Sequence, residues 1–161
     1  MKRILTLALV LIMALSLAAC GTNKEAESLT VGQTLLKDFE ERAEKEDVTT
    51  IAEGLVTNEI IQFMGGSMSV EPGFLTGFGE YEVTGFSEGA MFSPMIGTIP
   101  FVGYVFQLEE GVDADEFIAN LKANADLRWN ICTEAEEMVA GKKGDKVFFV
   151  MCPTAFEETA E

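Results

Sequence analysis

Gly85-Phe86-Ser87-Glu88-Gly89 matches, letter for letter, the Gly-x-Ser-x-Gly turn that exposes a nucleophilic serine. Such a serine needs a base to take its proton, and the chain contains no histidine. The Ser-x-x-Lys pairing that could stand in for it is also absent, so the match is read as chance and no hydrolase is expected. A second pattern is Met64-Gly65-Gly66-Ser67-Met68 with Met91-Phe92-Ser93-Pro94-Met95. Thioethers are soft, neutral ligands suited to Cu(I), and Met64, Met68, Met91 and Met95 could hold one between them. Methionine more commonly fills irregular gaps beneath glycine-rich loops, and here that reading leads: no metal and no cofactor is expected.

Cys132 and Cys152 are read two ways. A hairpin centred on Lys143 would set Cys132 near Thr154, within reach of a disulfide if the strands twist or bulge. In the loop-entropy picture that link contributes about 3 kcal/mol. Otherwise both are buried free thiols. With no imidazole to depress a thiol pKa, neither is a catalytic nucleophile. Asp113 and Asp115 lack the central glycine and late glutamate of a calcium loop, and fit a helix cap better. Gly141-Lys142-Lys143-Gly144 lacks the ending of a phosphate-binding loop.

The remaining cysteine, Cys20, stands at the end of a leader. Lys2 and Arg3 precede an apolar stretch from Ile4 to Leu15 broken only by Thr6. That stretch is short for a membrane span, which takes roughly twenty apolar residues, and suits a secretory signal. Leu17-Ala18-Ala19-Cys20 resembles the lipobox of bacterial lipoproteins, in which small residues fit the peptidase and the thiol takes a diacylglyceryl group. The resemblance implies cleavage of residues 1–19, lipidation at Cys20 and anchoring on the outer face of the cytoplasmic membrane. In a two-membrane envelope the outer membrane is the other destination, since Gly21 is not the aspartate of a retention signal. A buried methylene contributes about 0.8 kcal/mol, so two acyl chains hold where one is marginal. Residues 20–28 then form a polar tether and 158–161 a disordered tail, with a single domain over 29–157.

Cleavage removes Lys2 and Arg3 and no acid, leaving 27 acids against 9 bases, a charge of −18. Nucleic-acid binding runs on Lys and Arg, so this balance excludes it. It also keeps the domain from lying flat on anionic lipid. The acids are spread along the chain, as on a solvated exterior.

Behind these residues stands an α+β pattern. Thr30 and Gln33 form a capping box before Val31, Leu35, Phe39 and Ala43, predicting a helix over 31–46. A second helix is expected over 50–62. Residues 65–100 are rich in Gly, Phe, Met, Ser and Pro and lack lysine, with a strand expected over 81–92. Phe101 to Leu108 is apolar on both faces, the pattern of a central strand. Asp113 with Glu116 opens a helix to Asn124, followed by an extended run over 128–132. Met138–Ala140 then faces Val147–Met151 across a charged turn at 141–145, although Thr133 and Glu136 would also cap a helix over 133–140. The sum is a small, mainly antiparallel sheet with helices packed on one face. The strand, helix and hairpin order of the C-terminal half resembles uncharacterised small lipoprotein domains of Gram-positive bacteria, a likeness that implies no activity.

Thr76-Gly77-Phe78 recurs as Thr84-Gly85-Phe86 inside the aromatic stretch from Pro72 to Phe101. Its rings roof the core, as aromatics generally do, or else Phe74, Phe78, Tyr81, Phe86 and Phe92 face outward as a binding patch. The functional expectation is a tethered, non-catalytic module that meets an envelope protein or small ligand through this segment. A small-molecule or Cu(I) carrier built on the methionine pairs is the alternative.

Overall fold

A computed structural model describes residues 28–96 and 98–156. The leader, Cys20, most of the tether and the terminal tail lie outside the described residues. Helix α1 spans Val31–Arg42, opened by the expected capping box at Thr30 and burying Val31, Leu35 and Phe39 at a spacing of four. It stops short of 46 because residues 43–46 tighten into a turn, with the Lys45 N–H donating to the Arg42 carbonyl. Asp47 then caps α2, Val48–Val56, by accepting from the Thr50 N–H at 2.9 Å. This helix does not run to Gln62. The Thr57 hydroxyl donates to the Glu53 and Gly54 carbonyls, and the Asn58 side chain accepts from the Ile60 N–H, which takes the chain out of the helix.

Five strands form an antiparallel sheet: β1 (Gly65–Val70), β4 (Phe86–Pro94), β5 (Val102–Leu108), β7 (Lys146–Cys152) and β6 (Glu137–Lys143), in that spatial order. A separate ribbon pairs β2 (Gly73–Phe74) with β3 (Glu82–Val83). The α+β class is as expected. Strand β5 is central, and its alternation feeds two cores. Val102, Tyr104, Phe106 and Leu108 face one way with Val147, Phe149 and Met151. Val105 faces the other way with Phe148 and Val150. A Cβ at Gly103 would collide with the Phe92 ring, so that glycine admits the ring against the sheet.

The helices divide between these faces. α1 and α2 cover the Phe148 side, where Phe39 stacks on Phe148 with centroids 5.6 Å apart. Helix α3, Ala114–Asn124, lies on the opposite side with Phe117 and Leu121 buried. A sheet whose central strands are apolar on both faces requires cover on both, so one layer of helices is insufficient.

The C-terminal segment corrects one expectation and settles another. Residues 127–132 form turns rather than an extended run, and the expected hairpin holds over 137–143, which excludes the alternative helix over 133–140. The β6–β7 connection is only Gly144-Asp145, with Gly144 at φ +62° and Lys143 paired to Lys146. Register follows from that turn and sets Glu137, not Cys132, near the level of Cys152.

Candidate functional site

The methionine pairs, distant in sequence, meet on the β1–β4 ladder. Met68 lies directly opposite Met91, and the Met95 N–H donates to the Met64 carbonyl at 2.9 Å. Directly opposed residues of an antiparallel pair share a face, and so do residues two apart on a strand. Met64, Met68, Met91 and Met95 therefore line one face, with Gly66 and Ser93 between the two pairs. Gly66 leaves the space over which Met95 lies, since a Cβ there would stand 3.4 Å from Met95 Cγ. The result is a groove of about 290 Å³ lined by Met68, Met91, Met95 and their neighbours. It shares Met91, Ser93 and Pro94 with a second hollow of about 210 Å³ walled by Trp129, Thr76 and Phe101.

Tyr104 supports the groove from β5. Its hydroxyl donates to the Thr76 carbonyl at 2.8 Å and lies 3.4 Å from Met91 Sδ. Burial pushes its pKa well above the usual phenol value, so it stays neutral. Met64, Met68 and Met95 are 77%, 58% and 66% exposed, and Ile96 beside them is 85% exposed. Apolar side chains clustered in the open, not scattered singly, characterise a contact surface.

Next to the groove runs an open strand edge. Strand β1 is terminal in the sheet. Antiparallel pairing alternates, so the bond at Met64 and Met95 makes Gly66, Met68 and Val70 the residues that bond to β4. Pro94, which has no N–H, falls opposite Gly65 in agreement with that alternation. The N–H and C=O groups of Gly65, Ser67 and Ser69 then point away from the sheet. Among the described residues, no side chain or loop backbone bonds to them.

Charge is divided to match. From Glu46 to Leu121 the chain has thirteen acids and no Lys or Arg. That stretch supplies α2, β1 to β5 and most of α3. The bases gather instead on α1, the end of α3 and the β6–β7 hairpin. There Lys142 meets Asp115 at 2.6 Å and Lys143 meets Glu44 at 2.9 Å.

The other candidates separate from this region. Phe78, Phe86 and Phe92 are core residues at 1%, 1% and 0% exposure, which corrects their reading as outward binding rings. The Thr-Gly-Phe echo explains why. Gly77 and Gly85 both take φ +92°, a turn that only glycine makes easily, and each delivers the following ring inward. Phe74 is exposed and Tyr81 half-buried, so the proposed aromatic patch reduces to one ring. Ser87 donates to the Gln107 carbonyl on an irregular stretch of β4. Asp113 caps α3 through the Asp115 and Glu116 N–H groups, which hold its carboxyl below the usual range.

Of the two readings of the cysteines the disulfide does not hold, and the buried free thiol holds for Cys152 alone. Cys132 is exposed in a turn and Cys152 is buried at the end of β7, both as free thiols. Burial, reinforced by the Glu137 carboxylate, pushes the Cys152 pKa far up, so this thiol is unreactive. Among the described residues, no three His, Cys, Asp or Glu side chains are placed to hold a metal, and no helix is long and apolar enough to cross a membrane. Sequence reasoning missed Tyr104, Gly66 and the β1 edge. The base-free stretch was the readable signal, because it marks one contiguous half of the fold. No protein family, curated protein or solved structure matches the chain.

Proposed function

We propose that this protein is a lipid-anchored extracytoplasmic module that binds a partner without catalysing a reaction, and that it binds at the methionine-lined groove of β1 and β4. The observation that carries the reading is the convergence of two separate Met-x-x-x-Met segments on one exposed face. An apolar groove with few polar groups is suited to recognition, and the two serines in its lining, Ser67 and Ser93, have no base or carboxylate among the other lining residues to activate them. The anchor rests on the lipobox residues Leu17 to Cys20. Downstream of it the described chain enters the fold beside β6: Val31 donates to the Thr154 carbonyl, and Thr30 and Gly32 donate to Glu137 at the start of that strand. The tether thus joins at the β6 side, and β1 lies four strand spacings away, about 19 Å at ~4.8 Å each.

Two measurements test this. Labelling cells with a fatty-acid analogue should mark the wild-type chain and leave Cys20→Ser unmarked and released from the membrane fraction. Native mass spectrometry of the membrane-extracted protein should show a retained mass that Met68→Ser with Met91→Ser abolishes. A groove that carries nothing and whose variants behave as wild type would overturn the binding reading.

A second reading has its own observation: Met68 and Met91 are directly opposed while Met95 lies over Gly66, which gathers three thioethers in one groove. That set suits Cu(I). Titration of Cu(I) into the reduced protein separates the readings. Met68→Leu with Met91→Leu keeps the groove apolar, so only metal binding should be lost.

A further inference from the structure

We infer that β1 receives an extended, lysine- or arginine-bearing segment of another polypeptide as a sixth strand of the sheet. The inference rests on the groove being a binding surface and names the class of partner it meets. Three features of the edge carry it. Gly65, Ser67 and Ser69 offer six outward N–H and C=O groups, a template for strand addition. The strand Gly65–Val70 carries no charge, no proline and no bulge, the devices that ordinarily block an edge. The groove flanks the strand on one face, where every second side chain of an added strand would project toward Met68 and Met95.

Charge selects the partner. Exposed Glu59, Glu71, Glu82 and Glu88 belong to the base-free stretch around this edge, with no Lys or Arg to offset them. A cationic segment is drawn to such a field, and a second copy of this chain presenting the same half is repelled. The self-paired dimer that an open edge would otherwise invite is therefore disfavoured. The placement of β1 at the far side from the tether leaves it reachable from the envelope.

The test uses residues 20–161 with Cys20→Ala, because every described helix, ladder and core cluster lies within 28–156. The probe is a ten-residue peptide alternating valine and lysine, followed by NMR of backbone amides and methionine methyls. Strand addition predicts shifts at Gly65, Ser67 and Ser69 together with Met68 and Met95, and an affinity that falls with salt. Ser67→Pro removes only an outward N–H and should weaken binding at least tenfold. Ser69→Pro, which likewise removes an outward N–H at an exposed position and adds no charge, should do the same. A peptide of equal charge with proline in place of valine should bind at least tenfold more weakly. Equal binding by that peptide, or by both variants, would show simple charge attraction and overturn the proposal. Methyl shifts without amide shifts would overturn strand addition and leave the groove standing as a binding surface. Silence at both would remove both.

Discussion

The two edges of this sheet are built on opposite principles. Strand β6 ends in Lys142 and Lys143, each paired to an acid: Asp115 on α3 and Glu44 in the turn after α1. Its first residue, Glu137, accepts from Thr30 Oγ1 and the Gly32 N–H, both at 2.9 Å, which straps the entry of α1 over it. Gly32 permits that close approach, since a Cβ would stand 2.6 Å from Val139 Cγ2. Strand β1 has none of this: no charge, no strap and side chains no larger than methionine. Charge and cover on an edge strand oppose unwanted pairing, so their concentration on one edge leaves the other as the place where pairing is allowed.

Openness at β1 does not mean a weak interior beneath it. Phe92, on β4 beside that edge, is fully buried among Phe101, Phe148 and the space left by Gly103. Phe92→Ala should cost about 3–5 kcal/mol in urea unfolding, the range for deleting a buried ring. Phe74→Ser, in the same aromatic stretch but exposed, should change stability by less than ~0.5 kcal/mol. A large cost at Phe74, or a small one at Phe92, would break the division between core rings and surface that the structure draws.

The guarded edge should respond next. Glu137→Ala removes the acceptor for Thr30 and Gly32 and leaves the buried Cys152 thiol without its 3.6 Å neighbour. The expected loss is about 2 kcal/mol, as for hydrogen bonds to a charged group. Hydrogen exchange should place that loss at the start of α1 and the end of β7, with β1 and β4 unchanged. Exchange that quickens equally throughout would mean that the strap serves the whole fold rather than one edge.

Local patterns in the sequence were legible where one segment sufficed. The Thr30 capping box, the Asp113 cap and the apolar run of β5 are all readable from a few adjacent residues. The hairpin was readable in kind but not in register. Gly144 alone takes the positive φ that makes a two-residue turn, and the flanking lysines gave no sign of which glycine would do so. The site was legible only in parts. The methionine spacing stood out, but its reading as core filler missed that Met68 and Met91 would fall opposite each other across β1 and β4. For the aromatics the core reading holds at Phe78, Phe86 and Phe92, and only the alternative outward patch fails, because φ +92° at Gly77 and Gly85 turns the rings that follow them inward.

Acid should divide the two halves last and least. Glu44 is held below the usual carboxylate range by Lys143, and Glu136 by the hydroxyl and N–H of Thr154. A carboxyl lowered on folding stabilises fully above its ordinary value, near 4.5 here, and loses that contribution as pH falls through the lowered one. Both residues fasten the guarded half, Glu44 to the β6–β7 turn and Glu136 to the segment after β7. In the base-free stretch the caps Asp47 and Asp113 are lowered in the same way, but protonation there also relieves repulsion among acids that, Glu46 and Asp115 apart, pair with no Lys or Arg among the described residues, so acid has opposing effects. Corrected for intrinsic rates, amide exchange below pH 4.5 should therefore quicken more at Thr154 and the β6–β7 turn than along β1 and β4. These groups are exposed and screened, so added salt should shrink the difference. Glu136→Gln should abolish the acid response at Thr154 while leaving that at the turn. If β1 and β4 loosen first instead, mutual repulsion is not what distinguishes the open half, and the selection of a cationic partner loses its electrostatic basis.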